Sequence, residues 1–398
     1  MLEKFRFPDL SKAIMFLFAL WFLLSIASYQ LVVKDRNNRF DFYPRWIGSR
    51  SVLQGESPYS QEVTKKIQTG MFDRELGANE DQQKFAYMAI IAFQLIPFWL
   101  LPFPLAVSTW MGLQLLLLLC LPIGVWKLIG WKPSLFAFTF LVFFSIVVFR
   151  YPINSYLIGQ FIPFCLASLV FSWWGISYRS YSLASIGLLL SLVRPEVVFI
   201  PVSFMLIMSW NVCGFRVIKN FFIGLFALWI LTWAMIGTWE IDYLQGLISY
   251  SGYSSPDWPP ALINQPVFSV VFILSVAVWA SWMILNVAKY PLKEKMGWLL
   301  CISITFSLLT LPQTGNYTLI LGLLVVWFVV GLPGQRTLFI FLVSIILSLP
   351  WVFHLLPQPM IALEHLAIPI SLAFAITLKY QFRKNSNSTA TRIILSDA

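Results

Sequence analysis

The chain is short of charge. Asp, Glu, Lys and Arg make up 11% of its 398 residues, while 59% are hydrophobic. An ordinary soluble domain carries about 25% charged residues, so too few polar side chains remain to cover a water-facing surface. A soluble layered fold is excluded, and a polytopic membrane protein is expected. Histidine is scarcer still, with His354 and His365 far apart. Neither CxxC nor HExxH occurs, and Cys120, Cys165, Cys213 and Cys301 all lie in apolar runs. They read as small core residues, so neither a disulfide framework, a metal centre nor a bound cofactor is expected. No internal repeat is visible, which argues against an inverted-repeat transporter. No Gly-rich phosphate loop is present either. The net charge of +10 does not point to nucleic acid, because Lys and Arg cluster between apolar runs, as in cytoplasmic loops facing anionic lipid.

What the chain has in abundance is long apolar runs. A span needs about 20 predominantly apolar residues. Candidate runs are 13–33, 86–126, 134–149, 156–177, 180–193, 197–213, 218–238, 263–288, 296–312, 317–334, 337–353 and 366–380. This predicts an all-α polytopic protein of about 12 spans forming a single domain over 1–398. Run 13–33 lacks a small-residue cleavage site and reads as a retained first span. Run 86–126 is expected to cross once and to add a short in-plane or re-entrant helix near Leu101-Pro102-Phe103-Pro104. Lys127/Lys132, Arg179, Arg216/Lys219, Lys289/Lys293/Lys295, Arg336 and Lys379/Arg383/Lys384 mark the cytoplasmic side. The loops 34–84 and 239–262 then lie outside. The first is expected to carry an amphipathic helix over Ser60–Met71, and the Ser/Thr/Asn-rich tail 385–398 to be disordered.

Chemistry-bearing residues are few. Arg39 to Tyr59 gathers most of them, with Asp41 among Arg39, Arg45, Phe40, Phe42, Tyr43 and Trp46. Gly48, Gly55 and Pro58-Tyr59 predict a loop there rather than one uninterrupted helix. Asp41 reads either as a general base for a hydroxyl acceptor or as a solvated acid paired with Arg39 or Arg45. Arg194-Pro195-Glu196 interrupts an apolar stretch, where ionisable groups usually face a cavity or a partner. Arg194 either holds a lipid phosphate or belongs to a structural network with Glu196 or the Arg150 region. Glu240, Asp242 and Asp257 read as loop solubilisers, and Tyr250, Tyr253 and Trp258 as a groove or an interfacial belt. The break around Asn316-Tyr317 reads as a source of hydrogen bonds to substrate or as a tight turn. His354 and His365 read as interfacial packing.

One resemblance emerges from the order of these residues. Asp41-Phe42-Tyr43, Trp46, Gly55, Pro58-Tyr59, Phe85-Ala86-Tyr87, Leu101-Pro102, Gly159-Gln160 and Arg194-Pro195 follow one another as in glycosyltransferase family 87, the DUF2029 proteins. The chain resembles these polytopic GT-C-type enzymes, which include polyprenol-phosphate-mannose-dependent mannosyltransferases, over about residues 35–215. The resemblance implies a GT-C-like bundle in a bacterial plasma membrane, with a catalytic acid on a large first external loop. It implies inverting transfer of mannose or another hexose from a polyprenyl-phosphate donor to a lipid or glycan acceptor. Asp41 takes the position of the base, and Arg194, Arg150 and Arg45 are candidates for the donor phosphate. Gln160 and Asn316 would orient the sugar, with Tyr43, Tyr59, Tyr87 and Tyr317 lining the substrate. Two positions depart from the family pattern: Met88 stands where a proline often follows, and Asn316 where mannosyltransferase members often have His. A lipid or solute transporter, and a catalytically silent lipid-linked-glycan binding protein, are the competing expectations.

Overall fold

A computed structural model describes residues 8–36, 38–77, 80–253, 266–311, 315–357 and 363–396. The described chain is all-helical, at 80% helix with no strand. Six helices are long and apolar enough to cross a membrane, or seven if one bent pair counts as a single span. Several expected spans are shorter than a bilayer requires. Run 156–177 breaks at Gly159 into α8 (Tyr151–Ile158) and α9 (Ile162–Ser177), and run 180–193 contains α10 (Tyr181–Ser191). Run 317–334 is a 3₁₀ segment followed by the ten-residue helix Gly322–Gly331. These pieces are apolar but shorter than the about 20 residues that a span needs. In 86–126, only α6 (Phe103–Leu128) has the length of a span. The turns α4 (Ile91–Gln94) and α5 (Ile96–Trp99) precede it, in keeping with one crossing plus a short helical entry.

The chain divides into two compact units. The first comprises Met1–Cys120, Ser155–Phe161 and Phe226–Ser254. Its α1 (Pro8–Ser28) exposes Ile14, Phe16, Phe18, Phe22 and Leu23, as a lipid-facing helix does. Ser25 meets Gly112 of α6, where a Cβ would lie 2.4 Å from the Ser25 Oγ, and Trp21 Nε1 donates to Thr109 O at 2.9 Å. Small residues let the two backbones approach, as is usual between membrane helices. A π turn, Tyr29–Val33, ends the span.

The loop beyond it is more helical than its glycines suggest. Helix α2 (Phe42–Leu53) runs straight through Gly48. Glycine is there for contact: a Cβ at 48 would meet the Phe85 ring at 2.1 Å. Gly55 does make a turn, with φ of +82°. Helix α3 (Gln61–Phe72) matches the amphipathic expectation, and Ser60 Oγ accepts from Val63 N at 3.2 Å as its N-cap. Val63, Ile67 and Met71, one turn apart, face inward. Tyr43 locks α2 to α3 by placing its hydroxyl where Gly70 lacks a side chain. Exposed Arg74 clamps Glu80 at 2.6 Å, holding that carboxyl down at about 2 through hydrogen bonding.

The second unit comprises Leu121–Asn154, Ile162–Leu225 and Ser255–Ala398. Within it α9 and α10 form an antiparallel pair at close approach. A Cβ on Gly175 would lie 2.4 Å from Ala184 N, and one on Gly187 would lie 2.3 Å from Ser172 Oγ. Around them stand α11 (Pro195–Cys213), α14 (Pro266–Val287), α15 (Leu292–Thr310), α16 (Gly322–Gly331), α17 (Arg336–His354) and α18 (Glu364–Ser396). Every residue of α16 is buried. Helix α18 continues through 385–396, where disorder was expected. No Gly or Pro interrupts those positions, and extending an existing helix costs far less than starting one. Cys165, Cys213 and Cys301 are buried and free, and Cys120 is half-buried. Helix α7 (Leu135–Phe143) also belongs to this unit, α12 (Arg216–Ile236) begins in it and ends among residues of the first, and α13 (Glu240–Tyr253) belongs to the first. The last lies in the loop 239–262, whose Asp257 and Trp258 fall outside the described residues.

Candidate functional site

Asp41 occupies the N-cap position of α2, where an Asp side chain ordinarily accepts from the helix's own amides. It makes no such bond. Its carboxylate instead accepts from Gln160 Nε2, joining two segments 119 residues apart. Gln160 is 1% exposed, and its other end, Oε1, accepts from Arg45 Nη2 at 2.7 Å. A guanidinium can only donate. Arg45 therefore fixes which way the Gln160 amide points and aims its NH₂ at Asp41.

Arg45 itself is fully buried. It donates to Gly159 O at 3.1 Å and to the Tyr87 hydroxyl, and lies over the rings of Phe161 and Tyr87 at 4.5 and 4.6 Å. Neutral acceptors and ring faces thus hold a buried positive charge. Gly159 makes room for this, with φ of +73° and its Cα so close to Phe42 that a Cβ would lie 2.9 Å from Phe42 Cβ. Trp110 Nε1 closes the group by donating to Gln160 O at 3.3 Å.

The paired-acid alternative for Asp41 is not what the fold contains. Arg45 is engaged as described, and Arg39 donates from Nε to Met71 O at 3.3 Å and sits over Phe72. Among the described residues no Lys or Arg forms an ion pair with Asp41. The expected roles of two neighbours change accordingly. Arg45, with no exposed surface, holds Gln160 in place rather than meeting a donor phosphate. Gln160, committed at both ends, orients Asp41 rather than a sugar. Tyr43 is buried as the α2–α3 wedge. Tyr59 donates to Tyr87 O at 2.6 Å, and burial, with Tyr243, Asp242 and Glu240 adding to it, pushes its phenol well above the ordinary range. Glu240, expected as a solubiliser, instead accepts from Trp229 Nε1 and Trp239 N.

The remaining candidates belong to the second unit. Arg194 is 3% exposed and donates from Nε to Glu196 Oε1 at 2.5 Å, with its guanidinium 5.7 Å from the Tyr317 ring centroid. Tyr317's neighbour Asn316 donates to Glu364 Oε1, while Tyr151 donates to Glu364 Oε2 at 2.5 Å. With the Asn316 NH₂ given to a carboxylate, its Oδ1 faces His365 Nε2 at 2.9 Å, so that ring nitrogen carries the proton. Arg150 lies over Trp351 at 5.9 Å and adds positive charge near Glu364. Asn316, like Gln160, is held at both ends by protein. His365, expected at an interface, is 1% exposed in this network. Glu364, 2% exposed, was not singled out from the sequence at all. Its only signal there is a Glu-His pair at the head of run 366–380.

Among the described residues, no three His, Cys, Asp or Glu side chains gather where they could share a metal ion. Comparison with known proteins returns nothing: no family model, no curated protein and no solved structure matches the chain.

Proposed function

We propose that the chain is a membrane glycosyltransferase that moves a hexose from a polyprenyl-phosphate donor to a lipid or glycan hydroxyl, with Asp41 as the general base. The observation that carries this reading is the Arg45–Gln160–Asp41 relay. Residues spread over 119 positions converge to present one half-buried carboxylate that does not cap its helix and, among the described residues, forms no ion pair. A base must accept a proton within hydrogen-bond reach of its substrate, and a carboxylate oriented in this way suits that task. The acceptor hydroxyl would lose its proton to Asp41 as its oxygen bonds to the anomeric carbon. The bond from that carbon to the phosphate oxygen breaks, and polyprenyl phosphate departs. Inversion follows from a single displacement, in line with the logic of inverting glycosidases. The departing phosphate calls for positive charge or hydrogen-bond donors to balance it. Such a donor supplies a reason for an apolar enzyme, since the substrate is itself a lipid.

The test is transfer from radiolabelled polyprenyl-phosphate mannose by purified protein, with label followed into membrane-extract acceptors. Asp41→Asn is expected to lower turnover by about 10²–10⁴-fold, the range for a lost general base, with the melting temperature unchanged. Full transfer by a well-folded Asp41→Asn protein would sink the assignment. A transporter remains the second reading, because a buried Tyr151–Glu364–Asn316–His365 chain is the kind of ionisable network that transport pathways use. It predicts a function that survives Asp41→Asn and is lost in Glu364→Gln.

A further inference from the structure

Helix α12 ends at Gly237, whose φ of +72° is the left-handed conformation that commonly follows a helix. Gly237 N bonds back to Trp233 O at 2.8 Å. Helix α13 then starts at Glu240, and the Glu240 carboxylate accepts from Trp229 Nε1. Trp229 lies seven positions before Ile236, the last residue of α12, which is about 10 Å along the axis at 1.5 Å per residue. Glu240 reaches that level because the chain has turned back. Helix α13 therefore starts beside the last two turns of a span instead of projecting away from it. Those turns and the one before them expose Phe226, Ile230 and Trp233, which share one helical face. Lipid is the ordinary neighbour of such a face on a spanning helix.

Around α13 the side chains sort into three sectors. Ile241, Leu244 and Ile248, 64%, 57% and 73% exposed, fall within about 60° of arc at 3.6 residues per turn. Asp242 and Gln245, also exposed, occupy the next sector. Tyr243, Gly246 and Leu247 form the half-buried side. There the Tyr243 ring lies 6.2 Å from that of Tyr59 and 6.2 Å from that of Trp239, which is 3% exposed. A helix with water along its whole free side carries polar residues throughout that side. Helix α13 carries them on one strip and branched aliphatic residues on the other. Protein, water and hydrocarbon all meet one helix where it lies in the plane of a membrane surface.

We infer that α13 is an in-plane helix seated in the membrane surface where α12 ends, with Ile241, Leu244 and Ile248 among the acyl chains just below the headgroups. Its partner is the hydrocarbon of that leaflet and not the leaflet's charge. Glu240–Tyr253 contains two acids and no Lys or Arg, so anionic headgroups offer it no attraction. The half-buried side carries this level to the candidate site. Tyr243 packs on Tyr59, Tyr59 donates to Tyr87 O, and the Tyr87 hydroxyl accepts from Arg45. Tyr59 is thereby held about one helix diameter, 10 Å, from hydrocarbon. The placement does not depend on the transfer reaction, and its test reads no activity.

The experiment uses the full chain with its native cysteines replaced, reconstituted in phosphatidylcholine liposomes. Ile241→Cys, Leu244→Cys, Ile248→Cys and Gln245→Cys, made one at a time, are labelled with the fluorophore NBD. Quenching is read with aqueous iodide and with phosphatidylcholine that carries a nitroxide high on its acyl chain. The labels at 241, 244 and 248 should be quenched about threefold more by the nitroxide lipid than the label at 245, and about threefold less by iodide. All four side chains are exposed, so the labels should leave the fold intact, which an unchanged melting temperature checks. Equal iodide quenching at all four positions puts α13 in water and overturns the inference. Shielding of 241, 244 and 248 from both quenchers overturns it too, because protein would then cover the face, either the chain beyond Tyr253 or a second copy.

Discussion

At the residue scale, the first unit depends on positions where a side chain has only one way to sit. Gly159 combines a left-handed backbone with contact against Phe42. Gly159→Ala is expected to cost about 1–3 kcal/mol, the range for strain at such positions, and to lower transfer as well, because Gly159 O and Gln160 anchor Arg45. Chemical denaturation alongside the transfer assay checks both, and a Gly159→Ala chain of wild-type stability would refute the strain. In the second unit, burial raises the Glu364 carboxyl above its ordinary range. Hydrogen bonds from Tyr151 and Asn316 and the charges of His365 and Arg150 pull it back only in part. A carboxyl raised by folding favours its neutral form there, so its contribution to stability is full at low pH and is lost as pH rises through the raised value. The melting temperature should fall over that interval, which lies above the usual carboxylate value of about 4.3, and Glu364→Gln should flatten the slope. Little of this could be read from the sequence. Asp41 stood out because it is an acid among aromatics, and Arg194 because it interrupts an apolar run. Glu364 and Tyr151 gave no such signal, since their partnership joins positions 213 residues apart.

Elements were legible where their cause is local. Helix α3 announces itself through Ser60 and the spacing of Val63, Ile67 and Met71. Ser60→Ala should cost about 1 kcal/mol, as lost N-caps do, with amide exchange accelerated in the first turn of α3 and not in α2. Equal acceleration in both helices would mean that Ser60 does more than cap. Helix α2 was misread for the opposite reason. Gly48 looks like a breaker in isolation, and its true cause, the Phe85 ring, lies 37 positions further on in the chain. The spans show the same division. Long runs such as α6 and α14 are recognisable by length and composition alone. Shorter apolar pieces, α10 and α16 among them, match the hydropathy of a span but owe their burial to neighbouring helices. Composition does not distinguish hydrocarbon from a protein interior.

For the whole molecule, the charge bias sets the orientation to be tested. In a chain with its native cysteines replaced, Glu75→Cys should react with a membrane-impermeant maleimide on intact cells. Lys132→Cys should react only after permeabilisation. The reverse pattern would invert the topology and move the proposed site to the cytoplasmic face. The division into two units has a separate consequence, for synthesis. The first unit is assembled from three stretches of chain, the last of them Phe226–Ser254. A ribosome making this protein has therefore already released Asp41 and Arg45 long before Gly159 and Gln160 exist. Until those residues emerge, the Arg45 cation lacks two of its acceptors. A nascent chain stopped before residue 159 carries that unmet charge as a mark of incompleteness, open to the proteases that clear unfinished membrane proteins.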